Sequence, residues 1–94
     1  MDFSSVHNVH EEAVFEKVAE MAPQYPALAE LPDLLADVAC VALNRLQPRY
    51  IRHAADLAFF TTAKERAATA RDIAESVEFA FVYVQARHAM AARR

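Results

Sequence analysis

The sequence predicts an all-α domain, a compact bundle of three main helices, and three observations carry that prediction. Glycine is absent from the 94 residues and only four prolines occur. Turn-rich sandwiches and barrels need Gly at positive-φ positions, so an all-β fold is disfavoured. Alanine appears 21 times, and together with Leu, Val, Glu and Arg it favours helix. Apolar residues also recur at helical spacing in three separate stretches. Hydrophobic residues make up 55% and charged residues 24%, a balance that excludes disorder. The length allows a single domain over residues 1–94. Without glycine, neither the G-x-G-x-x-G nor the Walker phosphate loop can be built.

The first helix is expected over residues 8–22. Asn8 and Glu11 are spaced like the partners of a capping box, and Val14, Val18 and Met21 follow at i, i+4 and i+7. Pro23 must end this helix, and Pro23, Pro26 and Pro32 mark a connector. Pro32 suits the first turn of a second helix over residues 32–46, with Asp33 near its positive end. On a wheel, Asp33, Asp37, Cys40 and Asn44 form one stripe, while Leu34, Leu35, Val38, Ala39, Val41, Ala42, Leu43 and Leu46 cover nearly all the rest. A helix this apolar in so short a chain asks for cover from a second subunit. Arg45 shares a face with Leu34, Val38 and Val41. It either snorkels to the helix end, meets a carboxylate such as Asp37 or Glu11, or holds a ligand anion.

Pro48 stops the second helix, and residues 48–61 read as irregular, with room for a short strand or a helical turn. Thr62 and Glu65 form another capping box, opening a third helix over residues 62–91. It would be about 45 Å long at 1.5 Å per residue. Ala70, Ile73, Ala74, Val77, Phe81, Val84 and His88 make its core stripe. Across residues 77–84 the run FAFVYV carries a competing strand signal. Helical periodicity enters it from both sides, so helix is expected, and its apolar flanks again suggest a partner chain.

The net charge of −3 hides an asymmetry. Residues 1–40 carry eight acids against Lys17 alone, whereas residues 41–94 carry nine bases against five acids. Either the two halves pair internally or the second half handles an anion. Non-specific DNA binding is disfavoured, because the total is negative and no long basic stripe exists. A lone cysteine, Cys40, excludes a disulfide framework and any multi-cysteine zinc site. No apolar run approaches the roughly 20 residues that cross a bilayer, and no signal peptide is visible. The expected compartment is the cytoplasm, with no membrane contact.

Catalytic chemistry finds little support. His7, His10 and Glu11 make no zinc motif, and Ser4, Ser5 and Ser76 belong to no nucleophile elbow. Cys40 reads as an inert core thiol, and Asp33 with Asp37 as a solvated stripe. No enzyme, metal or cofactor is expected. Anion binding is better founded: Arg45, Arg49 and Arg52 fall within eight residues, accompanied by Asn44, Gln47, Tyr50 and His53. Guanidinium groups bind phosphate bidentately, stack on purines and pair with guanine O6 and N7, and Tyr offers a stacking face. A solvated helix terminus, where Arg suits the negative dipole end, is the competing explanation.

The segment DVACVALNRLQPRYI, residues 37–51, closely resembles the signature of the late-competence ComFB family, approximately D-V-x-A-x-A-L-N-R-L-P-P-x-Y. The Asn8-x-x-Glu11 start followed by Val14 resembles that family's amino-terminal motif. Together the two cover most of residues 6–51, and the remainder is similar in helical character and length. The resemblance implies a small helical homodimer acting as a receptor for a bacterial cyclic dinucleotide, cyclic di-GMP first and cyclic di-AMP second, and passing the signal to a regulatory protein. Relatives with several cysteines in the first connector can hold zinc there. Here that connector is PQYPALAELPD, so zinc is not expected, and Gln47 replaces the first proline of the family's usual pair.

On that basis Arg49 and Arg45 are candidate phosphate or guanine-edge ligands, Tyr50 a stacking surface, Asn44 a hydrogen-bonding support and Arg52 a further cation. Such a ligand has two phosphates and two purines about a two-fold axis, and an isologous dimer supplies each residue twice. The alternative is a dimeric interaction or competence regulatory module without a small ligand. A weaker third reading is a nucleic-acid binder using Arg45, Arg49, Arg52, Lys64, Arg66 and Arg71.

Overall fold

A computed structural model of the chain describes residues 1–55, 57 and 61–93. Three helices, α1 (His10–Met21), α2 (Pro32–Arg45) and α3 (Ala63–Ala92), pack against one another, and a two-residue antiparallel ladder joins β1 (His7–Asn8) to β2 (Tyr50–Ile51). The helical class and the three-helix plan are those the sequence predicts. The segment 48–61 contains the short strand β2, one of the two elements it was expected to have room for, and residues 56 and 58–60 of it lie outside the described residues.

The boundaries follow from local chemistry, with one correction. Helix α1 starts two residues later than residue 8, with Val9 at the cap and no side-chain cap bond. The Asn8–Glu11 capping box does not form, because β1 draws Asn8 into the ladder and its carboxamide bonds elsewhere. Pro23 limits α1 as expected, and the chain continues as a 3-10 turn over Ala22–Gln24. Pro32 occupies the first turn of α2 and Asp33 lies beside it, favouring the positive helix end. At α3 the capping box is complete: Thr62 Oγ1 accepts from the Glu65 amide at 3.1 Å, and Glu65 Oε2 accepts from the Thr62 amide at 3.2 Å. Helix then runs unbroken through residues 77–84, so the strand signal there is overridden by burial on one face.

The core gathers one face from each helix. Val14 and Val18 of α1, Val38, Ala39 and Ala42 of α2, and Ile73, Val77, Ala80, Phe81 and Val84 of α3 are buried. Two residues of the connector complete it. Leu28 is fully buried, and Tyr25 stacks on Phe81 with ring centroids 4.4 Å apart and planes 7° apart. Part of the expected α3 stripe is displaced: Ala70 is exposed, Ala74 and His88 are half-buried, and Ser76 is buried instead. Cys40 is likewise exposed rather than in the core, since it shares the polar stripe with Asp33, Asp37 and Asn44, all exposed.

The radius of gyration is 15.1 Å, against about 12 Å expected for a compact domain of this length. A 30-residue α3 projects beyond what two shorter helices can cover. Its far face leaves Phe79 at 42%, Val82 at 56% and Met90 at 63% exposed.

Phe81 is the largest fully buried side chain among the described residues. Phe81→Ala is expected to cost about 3–5 kcal/mol, read as a lowered urea midpoint. Val82→Ala, one residue along on the exposed face, should change it by less than about 0.5 kcal/mol.

Candidate functional site

The site is assembled around the carboxamide of Asn8, one of two buried polar residues among those described. Its Oδ1 accepts from the His10 amide and from the Arg49 amide, both at 3.2 Å. The Val9 amide in turn donates to the Arg49 carbonyl at 2.7 Å. Arg49 is therefore held through both its main-chain groups, and the pairing of Asn8 with Tyr50 and of His7 with Ile51 fixes the next two residues. Pro48 precedes this anchored stretch and restricts its backbone further. The Arg49 and Tyr50 side chains are left outside, Tyr50 at 66% exposure.

Beside this strand lies a recess of about 390 Å³ between the end of α2, the start of α1 and β2. Asn8, Glu11, Asn44 and Tyr50 supply its polar groups. Leu43, Leu46 and Pro48 supply apolar wall. Asn44 lies one turn beyond Cys40, and its Nδ2 donates to Cys40 Sγ at 3.7 Å. The Cys40 and Leu43 side chains also line a mainly apolar groove between α1 and α2, where Phe15 is half exposed at 52%. Recess and groove therefore share those two residues.

The structure separates the expected site residues into two groups. Asn44 and Tyr50 meet in the recess, with Arg49 pinned at its edge by its backbone and Arg52 exposed just past β2. Arg45 goes elsewhere. Its guanidinium carbon lies 3.7 Å from the centroid of the Phe79 ring of α3, a cation–π stack. Phe79 in turn stacks on Tyr83 at 6.0 Å, and Arg87 closes the row over Tyr83 at 5.7 Å while donating to its hydroxyl at 3.3 Å. Neither Asp37 nor Glu11 pairs with Arg45: the one ion pair among the described residues is Lys17–Glu20, on the surface. An aromatic face meets the Arg45 charge, a partner outside the three expected, which were the helix end, a carboxylate and a ligand anion.

No group of three His, Cys, Asp or Glu side chains gathers among the described residues, and none of the described helices is long and apolar enough to cross a membrane. His7 contacts the Ser5 carbonyl through Nδ1 at 3.1 Å.

A family model described as late competence development protein ComFB matches residues 7–88. The chain belongs to the ComFB family. Membership suggests a function related to competence development. No curated protein and no solved structure gives a significant match. The match begins at His7, the first residue of β1, and so includes the whole ladder and the recess of this ComFB chain.

Sequence reasoning placed Asn8 at a helix cap and left it and Glu11 out of the site. Periodicity gives no hint of a bond between residues 41 apart. The available signal was the motif position itself, an Asn and a Glu in a recognisable amino-terminal pattern.

Asn8→Ala leaves two amides without their acceptor, at a cost of about 1–3 kcal/mol if they stay buried. Hydrogen exchange should accelerate at Val9, His10 and Arg49 well before α3 is affected.

Proposed function

We propose that this ComFB protein is a small non-enzymatic receptor for a cyclic dinucleotide, working as a homodimer in the cytoplasm and signalling through a protein partner. The observation that carries the reading is the Arg49–Tyr50 pair, immobilised at the main chain with both side chains free, beside a base-sized recess that contains Asn44. A rigid cation next to an exposed ring suits a phosphate joined to a purine: Arg49 takes the phosphate and Tyr50 stacks on the base. Asn44 supports the base through its carboxamide, and Arg52 adds positive potential past the strand. Arg45, expected at the same ligand, lies with its guanidinium over Phe79 of α3 instead and is left out of this arrangement.

Dimerisation supplies the second half of the site. The α1–α2 groove of about 440 Å³ shares Cys40 and Leu43 with the recess. A second copy seated in that groove brings its own recess alongside, and a two-fold axis through the interface matches the axis of the ligand. The family resemblance points the same way.

The exposed row on α3 favours a complementary reading. Phe79, Val82, Tyr83 and Met90 are exposed on the single chain, and none of them lines the α1–α2 groove. That stripe is the surface on which a regulatory protein would dock, with or without a ligand.

Isothermal titration with cyclic di-GMP and then cyclic di-AMP tests the receptor reading. Micromolar or tighter binding, about −8 kcal/mol, that Arg49→Ala loses while keeping its fold and mass is the expected result. No heat and no thermal shift at about a hundredfold excess over that affinity would leave the partner-docking module as the function.

The dimer has its own test. Ala36→Glu puts a charge on the exposed α2 side of the groove. Sedimentation should change from dimer to monomer, and affinity for the dinucleotide should fall at least about tenfold, since half the site is lost.

A further inference from the structure

Glu11 is the group in the recess that neither the helix cap nor any ion pair uses. It sits in the first turn of α1, half-buried, with Val9 rather than a side chain at the cap. The one ion pair among the described residues does not include it. Its neighbours around the recess are the Asn44 carboxamide, the Tyr50 ring and the apolar wall of Leu43, Leu46 and Pro48. A volume of about 390 Å³ falls at the small end of ligand sites, roughly 300–1,000 Å³, and suits one base rather than a whole dinucleotide.

A carboxylate in such a place has a definite preference among bases. It offers two acceptor oxygens and no donor. Guanine presents two adjacent donors on its Watson–Crick edge, N1–H and the N2 amino group, which meet the two oxygens in parallel. Adenine presents a lone pair at N1 beside the N6 amino group, so one oxygen would face another acceptor inside a partly dry recess. The apolar wall and the Tyr50 ring hold either base by its faces, and only the edge tells them apart.

We propose that Glu11 is the specificity-determining residue of the site, selecting guanine over adenine by accepting from N1–H and N2–H. This rests on the receptor reading above and says which base that receptor takes, from the chemistry of the recess. The role is distinct from that of Arg49, whose phosphate contact is blind to the base.

Wild type, Glu11→Gln and Glu12→Gln are titrated with cyclic di-GMP and with cyclic di-AMP, after circular dichroism confirms equal helix content. Gln keeps the shape and one acceptor but sets a donor against a guanine donor. Glu12 shares the same turn, is exposed and does not line the recess, so it controls for the change in helix-end charge. Wild type should prefer cyclic di-GMP by at least about tenfold. Glu11→Gln should weaken cyclic di-GMP by about 10- to 100-fold, the size of a lost bidentate base contact, while cyclic di-AMP holds or improves. Glu12→Gln should alter neither. Glu11→Asp, which withdraws the carboxylate by one methylene, should reproduce the selective loss and serves should the Gln variant misfold. Equal weakening of both ligands, or none, overturns the role of Glu11 while leaving the receptor intact. Failure of wild type to bind either ligand overturns the receptor reading and this proposal with it.

Discussion

One carboxamide ties the chain together at the candidate site. Asn8 Oδ1 receives the His10 amide, at the start of α1, and the Arg49 amide, just past the end of α2. Each of those amides would otherwise be an unmet donor in a partly buried position. Because the same oxygen serves both, the entrance of one helix and the exit of another are set at a common point. Everything that follows in the site, the two-residue ladder, the direction of Arg49 and the stance of Tyr50 over the recess, is built on that point.

The helices provide a different kind of constraint. The stack of Tyr25 on Phe81 holds the connector to α3 and Leu28 is fully buried, so the turn between α1 and α2 is part of the core rather than a loose link. This fixes how α1 and α2 lie beside each other, and hence the shape of the recess between their ends. The cost is borne by α3, whose length exceeds its cover. The row of Arg45, Phe79, Tyr83 and Arg87 caps some of the resulting apolar surface with guanidinium faces, which shield rings without removing charge from water.

Features encoded over three or four residues were legible in the sequence. The Thr62–Glu65 box, Pro32 in its first turn and the polar stripe of Asp33, Asp37, Cys40 and Asn44 are each set by local spacing, and each appears in the structure. The reading of Cys40 as core weighed its neighbours in sequence above that same stripe, and the wheel position decides exposure. What escaped was non-local. Leu28 sits among prolines, where no periodicity marks it, yet it is fully buried. Arg45 met a ring on α3 because contacts between helices depend on their rotation, which residue spacing does not specify. Asn8 has the composition of a cap, and only the approach of β2 turned it into a bridge.

The span of that bridge has a consequence for how the molecule is made. The contact from Asn8 to Arg49 closes a loop of 41 residues that contains both α1 and α2. The Asn8 acceptor, the Val9–Arg49 bond and a two-residue ladder are few contacts against closing so long a flexible loop, which costs several kcal/mol of chain entropy before any bond is gained. The two helices must therefore pack first, shortening the gap that the bridge has to cross. On this argument the ladder is expected to form after the helices pack and to open before they separate. The ladder and recess of the candidate site are then also the part whose order can be tuned most readily without melting the bundle beneath it.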